Sequence, residues 1–126
     1  MAAVSPLMTF GAQAGLLASG SLAASGTSTT TCDLSAVFEG QVQVKSLFGT
    51  VAGTSGLQVD VYRRFGAGPT DDTIAVLTFV IPSTASTTKY QSFALPAGKY
   101  SVKLTNLDAT NAITVEMTKT TVDSVG

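Results

Sequence analysis

The side chains in this sequence that could do chemistry are few and scattered. Histidine is absent and Cys32 is the single cysteine. A serine or cysteine nucleophile would lack its imidazole base, and a zinc ion would lack its usual ligands. The densest group of oxygen donors is Asp71-Asp72, flanked by Thr70 and Thr73. Calcium takes about six to eight converging oxygens. The chain adds only scattered carboxylates such as Asp60 and Asp108, so the pair reads as a solvated turn. Paired carboxylates working as acid and base need environments that drive their pKa values apart, whereas each carboxylate here falls in a turn or on the polar parity of a strand. Residues 66–69 (GAGP) lack the lysine and the strand-to-helix setting of a phosphate loop. No catalytic residue, metal or cofactor is expected, and Cys32 reads as an unreactive thiol; the sequence is that of a non-enzyme.

Binding is the remaining class. The one basic doublet, Arg63-Arg64, lies between Tyr62 and Phe65, and Arg and Tyr are enriched at interfaces. The same residues also suit a solvated strand end whose Arg stems cover apolar surface. A sugar site would need aromatic stacking. There is no Trp, and of Tyr62, Tyr90 and Tyr100 the last takes an inward parity, which leaves a thin platform. Seven basic and eight acidic groups give a net charge of −1, so no nucleic-acid or membrane partner is expected.

No charged side chain occurs before Asp33. The apolar residues of this stretch are interrupted by Ser5, Pro6, Thr9, Gly11, Gln13 and Gly15, and no Lys or Arg precedes Lys45. It therefore reads as neither a secretory signal nor a membrane span, and export is not expected. Residues 1–31 are expected to form an uncharged, extended arm that could reach roughly 100 Å, with Leu7, Met8, Phe10, Leu16, Leu17 and Leu22 as its contacts on a protein partner. Such an arm should be mobile when free, and removing residues 2–31 should leave the melting of the remaining domain unchanged.

The elements that would position any contact begin near Cys32. At 126 residues the chain favours one domain, here 32–126, and its β-branched richness favours strands. Ala36, Phe38, Val42, Val44 and Phe48 share one parity, with Glu39, Gln41, Gln43 and Lys45 on the other. Leu57, Val59 and Val61 alternate with Gln58, Asp60 and Tyr62 after a turn at Gly49–Gly56, and Arg63 and Arg64 end the strand. Ile74 to Ile81 is a continuous apolar run, expected to be covered on both faces or to lie near the sandwich centre, and stopped by Pro82. Lys89 to Leu95 and Lys99 to Asn106 read as antiparallel partners about a Pro96-Ala97-Gly98 turn. After NLDATN, Ile113, Val115 and Met117 alternate with Thr114, Glu116 and Thr118, and a weaker stretch reaches Val122. Six or seven short strands predict an all-β protein, an antiparallel β-sandwich of Ig-like or jelly-roll type with an extended N-terminal arm.

The segment LPAGKYSV, residues 95–102, resembles a turn of Ig-like and prealbumin-like sandwiches. LQVDVYRRFGAGPTDDT and YSVKLTNLDATNAITVEMT are similar to accessory structural proteins of tailed bacteriophages, over about residues 34–122. That resemblance implies a virion location, assembly in the host cytoplasm and a head decoration or cement role, with tail components next. It also implies binding to the major capsid protein or other virion subunits, and a sandwich with exposed strand edges and low surface charge is expected to cover those edges as a dimer or trimer on the particle. The alternative reading is a tail or adhesin-type module that recognises carbohydrate or a host surface.

Overall fold

The computed structural model describes residues 8–10, 13–49, 56–65 and 70–125. Among these residues there are nine strands and no helix: β1 (Met8–Phe10), β2 (Ala14–Leu22), β3 (Thr27–Asp33), β4 (Glu39–Leu47), β5 (Leu57–Phe65), β6 (Thr70–Ile81), β7 (Thr88–Pro96), β8 (Lys99–Asn106) and β9 (Ile113–Val125). The two to three strands beyond those expected lie mostly in the N-terminal third.

The pairings are nested. β2 pairs with β9, β3 with β8, β4 with β7 and β5 with β6, all antiparallel. This is one long hairpin, bent at the β5–β6 connection and rolled so that successive pairs fall alternately in two sheets. Rolling also brings β9 beside β4 and β8 beside β5. The sheets therefore run β2-β9-β4-β7 and β3-β8-β5-β6, the jelly-roll form of the antiparallel sandwich. Of the two windings that the strand pattern allowed, the chain takes this one. β1 continues along the same side of β9 as β2, with Met8 opposite Val125.

Alternation places the core between the sheets. Val42, Val44, Leu57, Val59, Val61, Tyr100, Val102, Leu104, Ile113, Val115 and Met117 are all buried there, as period-two patterning requires. Phe38 departs from its expected parity and stands 58% exposed. The strand starts only at Glu39, and residues 35–38 form a turn and bend with no pleat to direct side chains inward.

The segment Ile74 to Ile81 is not covered on both faces. β6 is the outermost strand of its sheet, and in a two-layer sandwich only one face of a sheet meets the core, here the one carrying Leu77, Phe79 and Ile81. β7 and β8, expected to pair, lie in different sheets. Their connection is an arch across the sandwich, held where the Tyr100 hydroxyl donates to the Pro96 carbonyl at 2.8 Å. Gly98 sits there at φ +152°, and a Cβ on it would meet the Tyr100 hydroxyl at 3.3 Å and its ring at 3.4 Å.

The N-terminal stretch is part of this sandwich. The boundary expected between residues 31 and 32 falls inside β3, which keeps unbroken register with β8 from Thr27↔Thr105 to Asp33↔Lys99. Thr, four of the seven residues of β3, is a good strand former, and β8 needs a partner for its outer row of backbone groups. A segment tethered to the same chain supplies one at high effective concentration.

Candidate functional site

Three surface features stand out. The first is on the solvent face of the β2-β9-β4-β7 sheet. Register sets Lys45 between Tyr90 on β7 and Glu116 on β9, and Gln43 between Ser92 and Thr118 in the next row. The Lys45 ammonium lies 5.9 Å from the centre of the Tyr90 ring and 3.9 Å from Glu116 Oε1. Gln13 Nε2 donates to Thr118 Oγ1 at 3.0 Å. Together these side chains line an open groove of about 260 Å³. Alternation along the sequence sets Gln43 and Lys45 on the polar face of their strand, and Tyr90 counts there as one of three tyrosines that make a thin stacking platform. Nothing local in the sequence joins Tyr90 to Glu116; only the register across β4 does so.

The second feature is the end of β5 at Tyr62, Arg63 and Arg64. The Arg63 guanidinium stacks 5.6 Å from the Tyr100 ring centre. Arg64 lines a recess of about 160 Å³ with Thr31, Cys32, Asp33, Lys99 and Tyr100. Asp71, read as part of a solvated turn, instead belongs to β6 and pairs in register with Arg64. The Asp33 carboxyl is held below its ordinary range mainly because the Ser35 hydroxyl and backbone N–H donate to it, at 2.6 and 2.9 Å. Burial pushes the Cys32 thiol up. A protonated, enclosed thiol is a poor nucleophile. Cys32 is thus expected to be alkylated by iodoacetamide more than about tenfold more slowly in the native chain than in the unfolded one. Equal rates, followed by mass spectrometry, would contradict that burial. Among the described residues no group of three or more His, Cys, Asp or Glu is placed to hold a metal ion.

The third feature is β6 itself. Ile74, Val76 and Val80 alternate outward from the edge of the sheet and stand 73%, 51% and 48% exposed. Next to them on β5, Asp60 is buried and accepts hydrogen bonds from Gln58 Nε2 at 2.9 Å and Thr78 Oγ1 at 2.8 Å.

The contacts expected on the arm are distributed differently. Leu22 belongs to the hydrophobic core, and Leu16 and Leu17 pack against it. The surface of Leu22, and part of that of Leu16 and Leu17, is covered within this chain because β2 is seated on β9. Leu7 lies outside the described residues, as do the side chains of Met8 and Phe10, whose backbone runs in β1. The arm contacts and the Tyr62, Arg63 and Arg64 cluster are not brought together into one surface by the described strands.

No protein-family model matches the chain, and no curated protein sequence matches it. Solved structures do. The enzymatically active domain of tailspike protein 4 from bacteriophage CBA120 is 9% identical, with 88% of this chain and 19% of that one covered, at a TM-score of 0.53. A chain of the infectious bursal disease virus Gx strain is 13% identical over 94% of this chain and 32% of its own, at 0.52. A cleaved adhesin domain of Lys-gingipain from Porphyromonas gingivalis is 18% identical over 74% of this chain and 63% of its own, at 0.49. The chain thus spans less than two thirds of each of these proteins, and what it shares with the tailspike domain and the virus chain is the β-sandwich fold.

Proposed function

We propose that this chain is a non-enzymatic structural protein of a virus particle, of the decoration or cement kind, which seats its jelly roll against a multimeric protein shell through the β6 edge. The observation that carries this reading is the outward row Ile74, Val76 and Val80 on an outermost strand. An edge strand offers unpaired backbone groups, and an apolar face beside it makes the edge a template for another chain. Fully burying one such side chain contributes about 1.5–3 kcal/mol, before the loss of translational and rotational freedom is subtracted. A neighbouring subunit is the cover that turns this liability into adhesion.

The near-neutral charge favours the same reading, because subunits packed side by side would not repel one another. Jelly rolls recur in viral capsid and lectin domains, and the fold is shared with a phage tailspike domain and a chain of a virus structure. A protein that binds only the assembled shell stabilises it by mass action. No turnover is needed.

The test is retention on particles. Purified protein mixed with the virus particles that carry it should co-sediment, and the double substitution Ile74→Lys and Val76→Lys should lower retention about tenfold or more without lowering the melting temperature. Undiminished retention of that variant would remove β6 as the seat, and absence of the protein from purified particles by mass spectrometry would remove the virion reading.

A further inference from the structure

We propose that the groove on the solvent face of the β2-β9-β4-β7 sheet binds a neutral oligosaccharide, with Tyr90 as the stacking platform and Gln43, Lys45, Glu116 and Thr118 as hydrogen-bonding partners for its hydroxyls. This site is independent of the β6 edge, which belongs to the other sheet.

The argument starts from what the groove offers. Tyr90 keeps 58% of its surface in solvent although it is a large aromatic. It stands on the outermost strand of its sheet, with Lys45 on the side of its neighbour β4. An aromatic ring this exposed suits the C–H face of a pyranose, which presents a small apolar patch ringed by hydroxyls. Around Tyr90 the lining is polar: an amide at Gln43, a hydroxyl at Thr118, a donor at Lys45 and an acceptor at Glu116. Hydroxyl groups both donate and accept, so a mixed set of this kind can satisfy them where an aliphatic protein patch could not.

Charge selects the class of sugar. The Lys45 and Glu116 charges lie within 3.9 Å and compensate each other. A carboxylated or sulfated sugar would place its own anion beside Glu116, whereas a neutral one meets no net field. Gln13 is held on Thr118 at the groove's margin by its 3.0 Å hydrogen bond, which closes the row on the β2 side. The volume of about 260 Å³ falls below the usual range of enclosed ligand pockets, which begins at about 300 Å³. The groove therefore takes one or two rings of a longer chain and leaves the rest in solvent.

Saturation-transfer NMR on the full chain, with a panel of neutral gluco-, galacto-, manno- and N-acetylglucosamine oligosaccharides, tests this. At least one should show transfer concentrated on the C–H protons of a single ring. Tyr90→Ala should abolish it, Tyr90→Phe should keep it within about threefold, and Gln43→Ala should weaken it about tenfold. All three variants should melt as the parent does, because these side chains face solvent. Phe38→Ala, which removes an exposed aromatic outside the groove, should bind as the parent does. No transfer from any panel member, or binding that survives Tyr90→Ala, would overturn the proposal. The β6 variant used for particle retention should bind the same sugars unchanged, so failure of one reading is distinguishable from failure of the other.

Discussion

Removing residues 2–31 is expected to abolish the cooperative unfolding transition of the remaining chain. The sequence alone suggested a dispensable arm, but β2 and most of β3 lie in this stretch and form the outer strands of both sheets. Their loss strips Leu22 from the core and the packing of Leu16 and Leu17 from its margin. It also leaves β8 and β9 each with an uncovered row of backbone groups. Each lost apolar side chain contributes up to about 1.5–3 kcal/mol, against a total of about 5–15 kcal/mol for a typical domain. Calorimetry of residues 32–126 beside the full chain decides the matter. Removal of residues 2–12 takes away, among the described pairings, the three register pairs of β1 and should keep a transition. A 32–126 fragment that melts like the full chain would show that β2 and β3 are ornaments on a self-sufficient core. Limited proteolysis should agree, with cleavage between residues 14 and 33 appearing only as the whole domain unfolds.

Asn106→Ala is expected to destabilise the domain by about 3 kcal/mol, lowering the melting temperature by about 10–15 °C. Asn106 is buried, and its amide Nδ2 donates to the carbonyls of Leu22 and Ala23, both at 3.2 Å, and of Asn111 at 2.9 Å. Its Oδ1 accepts from the Asp108 backbone N–H at 3.0 Å. One side chain thus ties the β2–β3 turn to the β8–β9 loop, and truncation leaves its backbone partners enclosed without replacement. A loss below about 1 kcal/mol in denaturant melts would show that water takes over these bonds.

Asp108, in the same loop, adds a pH signature. Its carboxylate accepts from the Thr110 N–H and hydroxyl and from the Asn111 N–H and amide. These bonds, the Thr110 N–H foremost, hold its pKa below the ordinary value. Its share of stability is therefore complete above the ordinary carboxylate range and is lost as pH falls through the depressed folded value. Asp108→Asn should flatten the acid side of the stability profile.

The sequence by itself determined the class of structure and most strand interiors. In β4, β5, β8 and β9 one face is wetter and one dry, and that contrast is written residue by residue as Val42/Gln43, Leu57/Gln58, Val102/Lys103 and Val115/Glu116. The turn at NLDATN was legible for a similar reason, because Asn and Asp bond their own backbone locally.

β3 was hidden because residues 27–31 are all Ser or Thr, whose two faces do not differ. It is a strand because β8 lies beside it. β6 misled for the opposite reason: residues 74–81 are mostly apolar on both faces, and only the two-layer packing, which leaves the outer face of each sheet uncovered, puts Ile74, Val76 and Val80 in solvent. The short link between β7 and β8 looked like a hairpin, yet the nested winding sends those strands to different sheets. The Tyr90, Lys45 and Glu116 row has no local signature, since its members are distant in sequence and adjacent only through register. Periodicity reports the environment of each residue along its own strand. Which strands become neighbours is decided by how the whole chain closes its edges and fills one core, and the candidate surfaces of this protein are products of that closure.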